Sequence, residues 1–95
     1  MDIPEEFTVN YEQDGVLKVK EEKKEVLSKG AWATVLYSYR NWNAKEEEYG
    51  PLKATIRRYR RMQGVYRQQS KFNISSARQA LQLSKLLEEW FKDEK

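Results

Sequence analysis

The sequence has 95 residues, a formal net charge of +3, charged residues at 35%, and neither cysteine nor histidine. This length suits one domain with a modest core, and hydrophobic residues at 39% with aromatics at 13% are enough for folding. Without cysteine, disulfides and zinc–thiolate sites are excluded, and without histidine the usual general base is missing. We therefore predict that the protein is not an enzyme and has no metal site, no cofactor and no small-molecule substrate.

The sequence gives no sign of membrane insertion or export. No run approaches the roughly 18 consecutive apolar residues of a membrane span. Met1 to Glu6 lacks the basic-then-apolar order of a signal peptide. We expect a cytoplasmic protein that does not contact membranes.

The chain divides into an N-terminal segment and one domain. Residues 1–15 are acidic and are predicted to be either disordered or a short extra strand, with a turn at Asp14–Gly15. Residues 16–95 form the domain. Its first strand is predicted from Val16 to Leu27, and its second, from Ala31 to Trp42, is the richest in β-forming residues.

The second half of the domain predicts two more strands and a helix. The composition of Asn43 to Pro51 predicts a loop. Strands are predicted after it, from Leu52 to Met62 and from Val65 to Ile74. From Ser76 to Lys92 the apolar residues recur at the spacing of an α-helix. The predicted fold is therefore α+β, a curved four-stranded antiparallel sheet followed by a C-terminal helix (ββββα).

The predicted helix begins with a capping box and has a wide apolar side. Ser76 is followed three residues later by Gln79, the spacing of a capping box. Two interpretations of the apolar side stay open: the helix lies deep in its own core, or its surplus residues pack against the same helix of a second subunit. These surplus residues are Leu83, Leu86 and Trp90.

Charge is strongly segregated along the chain. From Met1 to Glu25 there are eight acids and four lysines, whereas Pro51 to Phe72 carries seven basic residues and no acid. Five of the seven are arginine, whose planar fork suits phosphate and whose face stacks on bases. Like charges packed together cost stability unless a polyanion or an acidic partner neutralises them. The basic segment therefore predicts such a partner.

Alternation along the last two strands predicts an apolar face and a basic face. We expect a three-residue loop, Met62 to Gly64, which sets Ala54 opposite Phe72 and Leu52 opposite Ile74 under the helix. The other face then carries Lys53, Thr55, Arg57, Tyr59, Arg61, Arg67, Gln69, Lys71 and Asn73. In the second strand we assign Ala33, Val35, Tyr37 and Tyr39 to the core, and the opposite parity, with Trp32 and Arg40, to the basic face.

A basic face with interleaved aromatics predicts binding of single-stranded DNA with weak sequence preference, because the charges follow the backbone and the rings stack on bases. Two alternatives stay open. The face could dock an acidic protein partner, or it could bind single-stranded RNA. We also expect the acidic N-terminal segment to fold over the basic face and compete for it.

Several features resemble the positive-cofactor-four-like family of transcriptional coactivators, including its short bacterial members. They are the aromatic strand ending in Trp42-Asn43-Ala44, the acidic loop closing at Tyr49, the Ile56-Arg57 pair, and Lys71 to Ser75 leading into the helix. The resemblance covers about Val26 to Trp90.

The resemblance implies a homodimer that binds single-stranded DNA and acts in transcription or DNA maintenance. It implies nucleic-acid-binding roles for Trp32, Arg40, Lys53, Arg57, Tyr59, Arg61, Arg67 and Lys71. It places Leu83, Leu86, Leu87 and Trp90 at the dimer interface.

Overall fold

The computed structural model describes residues 3–94. Its elements are β1 (Tyr11–Gln13), β2 (Val16–Lys29), β3 (Trp32–Asn43), β4 (Glu48–Tyr49), β5 (Lys53–Met62), β6 (Val65–Ile74) and α1 (Ala77–Phe91). The strands pair antiparallel in one curled sheet of order β1-β2-β3-β5-β6, with β4 paired to the end of β3. The predicted α+β class, an antiparallel sheet followed by a C-terminal helix, is confirmed.

The sheet has six strands within residues 3–94, two more than predicted. The expected turn at Asp14–Gly15 is present, with φ of 53° and 79°, and it joins β1 to β2 in a tight hairpin. The N-terminal segment therefore supplies the short extra strand. β4 forms where Tyr49 pairs with Trp42, their ring centres 5.0 Å apart. β4 has only two residues, too few for alternation to be recognised in the sequence.

The turn between β5 and β6 differs from the predicted one. The loop has two residues, Gln63 (φ 52°) and Gly64 (φ 81°), and Met62 pairs with Val65. Two successive residues at positive φ are typical of a type I′ turn, whose twist matches that of the flanking strands. The predicted three-residue loop is therefore wrong.

A β-bulge shifts the register by one residue further along this hairpin. The pairing shifts by one residue beyond the turn, and Gln69 of β6 has no partner on β5. Ile56 then lies opposite Phe72, so charged and apolar residues still separate onto two faces. Because the bulge reverses the alternation of β6, Arg67 lies on the opposite face from Lys71, which the predicted register did not allow.

The core lies on the concave face of the curled sheet. Residues 3–10, which we call the N-terminal strap, lie along this face and place Phe7 against two rings. The Phe7 ring centre is 4.7 Å from that of Tyr59 and 5.0 Å from that of Tyr66. The buried cluster comprises Phe7, Val9, Ala33, Val35, Tyr37, Tyr59 and Tyr66. The predicted core side of β3 is thereby confirmed.

The strap is attached by polar contacts as well as by Phe7. The Glu6 carboxylate accepts a hydrogen bond from the Tyr66 backbone N–H at 2.9 Å, and Lys24 Nζ donates to the Phe7 carbonyl at 2.6 Å. The strap therefore lies on the face that the sequence predicted for the N-terminal segment. It is held by apolar packing and backbone hydrogen bonds rather than by salt bridges to the basic segment.

The predicted core face of β5 is wrong. Thr55 is fully buried opposite Tyr37, whereas Leu52 and Phe72 on the predicted core face are 45% and 57% exposed. The physical reason is that the strap covers the concave face, while α1 leaves most of the convex one open: of the predicted core residues of β5 and β6, only Ile74, just before the helix, is buried. Alternation separates the two faces of a strand but does not reveal which face another segment covers.

Helix α1 begins as predicted but is not part of the core. Ser76 Oγ accepts a hydrogen bond from the Gln79 N–H at 3.1 Å, and Gln79 Oε1 accepts one from the Ser75 N–H at 3.3 Å. No residue of α1 is buried. The interpretation that places the helix deep in its own core is therefore wrong. Nowhere in residues 3–94 does a helix have the length and apolar character needed to cross a bilayer.

Candidate nucleic-acid interface

A groove of about 410 Å³ lies on the concave face between the strap and the β5–β6 hairpin; we call it the concave groove. The strap and β1 form one wall, β2 and β3 the floor, and β5 and β6 the other wall. Its polar and aromatic lining consists of Thr8, Asn10, Tyr11, Tyr39, Asn41, Arg57, Lys71 and Asn73. Among the described residues 3–94, the lining contains two cations and no carboxylate.

The two cations lie on neighbouring strands. Arg57 pairs directly with Lys71, an arrangement of like charges that costs stability. Arg57 Nη1 donates to Gln68 Oε1 at 2.7 Å, but its buried Nε finds no hydrogen-bond acceptor among the residues that the structure describes. Neither cation forms a salt bridge within residues 3–94. A bound anion would neutralise the like-charged pair and accept hydrogen bonds from its accessible N–H groups.

The carboxylate of Glu21, which contacts the groove residue Thr8, is already compensated. Glu21 Oε1 accepts from Thr8 Oγ1 at 2.9 Å, and Glu21 Oε2 lies 3.3 Å from Lys24 Nζ. On the opposite wall, Thr55 Oγ1 donates to Asn73 Oδ1 at 2.7 Å, which leaves the Asn73 NH₂ group as a donor toward the groove. The groove is therefore an anion-attracting site with additional hydrogen-bond donors.

Aromatic side chains in this region divide into accessible and buried ones. Tyr11 is 54% exposed and Tyr39 is half-buried, and both border the groove. Tyr59 is 3% exposed, with its hydroxyl 2.7 Å from that of Tyr37. Burial and this hydrogen bond raise the pKa of Tyr37, and burial raises the pKa of Tyr59. Tyr59 thus packs in the core, and the accessible rings that line the groove are those of Tyr11 and Tyr39.

The predicted binding residues separate onto the two faces of the sheet. By register, Lys53, Arg57, Tyr59, Arg61 and Lys71 lie on the concave side, and Trp32, Arg40 and Arg67 lie on the convex side. Only Arg57 and Lys71 of these line the concave groove. Arg61 borders a smaller cavity near the hairpin turn, beside Glu6 and Tyr66.

The shared face predicted for Trp32, Arg40 and Arg57 is wrong, because Val35 rather than an even-numbered residue lies opposite Arg57. Arg40 has a structural role: its Nη1 donates to the Gly50 carbonyl at 3.0 Å and its Nε to Glu22 Oε2 at 3.3 Å. These contacts hold the loop before β5 against the sheet.

Five polar or aromatic lining residues were not on the predicted basic face: Thr8, Asn10, Tyr11, Tyr39 and Asn41. Tyr39 and Asn41 share the parity of Val35 and therefore the face of Arg57, so the β3–β5 register would have found them. Asn10 and Tyr11 gave no sequence signal, because only the path of the strap brings them to the groove.

The likeness to the positive-cofactor-four-like family stays a prediction from the sequence. Comparison with protein-family models, with curated proteins and with solved structures gives no match.

Proposed function

We propose that the protein binds single-stranded nucleic acid in the concave groove, with a backbone phosphate held by Arg57 and Lys71. The observation that carries this proposal is the unneutralised pair of cations on neighbouring strands, one with a buried N–H donor that lacks an acceptor among the described residues. A phosphate supplies two or more acceptor oxygens and negative charge at one point, which suits an arginine fork beside a lysine.

The remaining groove residues suit the base and sugar of a single strand. Tyr39 offers a partly exposed ring in the same groove as the cations, and Asn41 and Asn73 offer amide groups. Stacking and phosphate contacts are independent of base identity, so we expect weak sequence preference. Single-stranded DNA is the form we propose, with a role in transcription or DNA maintenance, as the resemblance implies.

We also propose that the functional unit is a homodimer formed through α1. Leu83, Leu87 and Trp90 recur at helical spacing, with Leu86 beside them, and Leu87 and Trp90 are 43% and 63% exposed. On the convex face of the sheet, Leu52 and Phe72 are exposed as well. A two-fold axis pairs such a surface with itself and buries it. Two grooves in one particle would then bind one long strand with avidity.

The proposed binding is tested by anisotropy of labelled oligonucleotides. A single strand of about 20 nucleotides, longer than the ~4–16 nucleotides that one OB-fold domain occupies, is compared with its duplex and with the RNA equivalent. Each is titrated at about 50 and about 200 mM salt. We expect tight single-strand binding that weakens steeply with salt, and weaker duplex binding. The RNA arm decides between the two nucleic acids.

Lys71→Ala and Lys85→Ala form a matched pair of variants, since both remove one exposed lysine, the first in the groove and the second on α1. Lys71→Ala should lower single-strand affinity severalfold and reduce the salt slope by about 0.7, the value for one lost phosphate contact. Lys85→Ala should leave both unchanged. Absence of binding by the wild type at low salt, or equal effects of the two variants, would contradict the proposed site.

The dimer is tested by sedimentation equilibrium or by light scattering after gel filtration. We expect twice the chain mass for the wild type and the mass of one chain for Leu87→Asp. A replacement at an exposed helix position away from the apolar side, Arg78→Asp, should leave the dimer intact. A monomeric wild type at micromolar concentration would contradict this assembly.

A further inference from the structure

Four side chains form a cluster on the convex face of the sheet near the β5–β6 turn, outside the concave groove. The guanidinium carbon of Arg58 lies 4.6 Å from the Trp32 ring centre, and that of Arg60 lies 5.7 Å away. Arg67 pairs with Arg60 across the hairpin and shares its face. We call Trp32, Arg58, Arg60 and Arg67 the convex cluster.

The charge of the convex cluster is not compensated by neighbouring residues. None of its three guanidinium groups forms a salt bridge with a carboxylate in the range 3–94. Arg60 lies directly opposite Arg67, and like charges in this position destabilise a sheet. Arg58 pairs with two uncharged residues, Thr34 on β3 and Ser70 on β6. The cluster therefore attracts a polyanion.

The convex cluster also presents a stacking surface. Trp32 is 41% exposed, and all three arginines are exposed. Arginine planes and indole rings both stack on nucleobases, and base stacking on aromatic residues is tolerant of sequence. A carboxylate-rich protein would engage the three charges but would leave the exposed indole unused. A ligand that combines negative charge with flat rings engages all four side chains.

The two basic sites lie on opposite faces of the same hairpin. Lys71 of the concave groove and Arg67 of the convex cluster are four residues apart on β6, about 13 Å at the usual rise per residue. β6 ends the sheet within the described residues, so a strand leaving the groove reaches the convex face by crossing one edge.

We propose that the convex cluster is a second contact site for the same single-stranded nucleic acid, which passes from the concave groove around the β6 edge. Arg60 and Arg67 hold backbone phosphates, and a base stacks on the layer formed by Trp32 and Arg58. This inference rests on the proposed function of the groove. It requires that a long strand bind more tightly than a short one, because only a long strand spans both sites.

The test compares two triple variants that lose the same charge. Arg58→Ala/Arg60→Ala/Arg67→Ala removes the cations of the cluster. Arg78→Ala/Lys85→Ala/Lys92→Ala removes three exposed cations of or beside α1. Circular dichroism and thermal unfolding check that both fold. Each is titrated with single strands of about 5 and about 20 nucleotides, chosen around the ~4–16 nucleotides of a single-domain site.

The cluster variant should bind the long strand about tenfold more weakly or worse, with a salt slope smaller by about 1.4 for two lost phosphate contacts. Its affinity for the short strand should stay within about twofold of the wild type, since the groove is intact. The helix variant should match the wild type for both strands. Arg58→Lys/Arg60→Lys/Arg67→Lys, which keeps the charge, should lose part of the long-strand affinity because lysine does not stack as a plane.

Tryptophan fluorescence gives an independent measurement. Binding of the long strand should quench the tryptophan fluorescence of the wild type, and this quench should largely disappear in Trp32→Phe. Equal long-strand affinity of the two triple variants, or an unchanged quench in Trp32→Phe, would overturn the second site while leaving the groove in place. Polyglutamate serves as a probe for an acidic protein partner. If the cluster variant loses polyglutamate binding while its oligonucleotide binding is unchanged, the cluster binds an acidic protein, and the second nucleic-acid site is overturned too. If the wild type binds no single strand, both proposals fall.

Discussion

Replacing Phe7 by alanine tests whether the N-terminal strap is part of the core. The Phe7 side chain is fully buried, and its ring contacts those of Tyr59 and Tyr66. Core Phe→Ala replacements cost about 3–5 kcal/mol, because burial is lost and a cavity remains. Domains of this size have a total free energy of unfolding of about 5–15 kcal/mol. The variant should therefore lose a large part of its stability.

Urea denaturation followed by circular dichroism measures this loss, with Ile3→Ala as the control in the same strap. Ile3 is 50% exposed, and its replacement should change the free energy of unfolding by less than about 0.5 kcal/mol. A loss below about 1 kcal/mol for Phe7→Ala would refute the assignment of the strap to the core. In that case the strap would be a loosely attached cover of the concave face.

The tyrosine pair, the Glu6 carboxylate and the β5–β6 turn each give a separate test. Tyr37→Phe or Tyr59→Phe alone leaves one buried hydroxyl without its partner and should cost about 1–3 kcal/mol, whereas the double variant should cost less than the sum; additive costs in urea denaturation would contradict the pairing. Hydrogen bonding, first from the Tyr66 N–H, lowers the pKa of Glu6 from its ordinary 4.5, so its stabilisation is present above that pH and lost below it. Stability measured from pH 7 to pH 3 should therefore fall more for the wild type than for Glu6→Gln, and parallel curves would contradict the contact. Gly64→Ala places a Cβ at φ 81° and should cost about 1–2 kcal/mol, although nothing lies within 4 Å of that Cβ; no loss of melting temperature would show that the turn has a different conformation.

The helix and the long strands were predictable because their signals are local. Ser76 and Gln79 reveal the start of α1 by their spacing, and Asp14–Gly15 reveals a tight turn by the residue types that tolerate positive φ. The β5–β6 register was not predictable in this way. Gln63 gives no turn signal comparable to asparagine, and a bulge at Gln69 changes which residues share a face without changing the alternation on either side.

The candidate site was predictable in composition but not in arrangement. The seven basic residues from Pro51 to Phe72 are visible in the sequence, and Arg57 and Lys71 were correctly placed on one face. Tyr59 was predicted to stack on bases and instead lies in the core, because Phe7 packs against it. Nothing in the alternation of β5 indicates that a segment some 50 residues earlier covers that ring.

The sequence by itself determined the α+β class, the segregation of charge, the strong strand from Trp32, and the capped, amphipathic helix, because each follows from neighbouring residues. Only the tertiary structure decided which face of the sheet is the core, which cations meet in the concave groove, and which lie beside Trp32 on the other side. These outcomes depend on the path of the strap and on one bulged residue. Neither follows from the properties of neighbouring residues, because each depends on which segments pack or pair with one another in the folded chain.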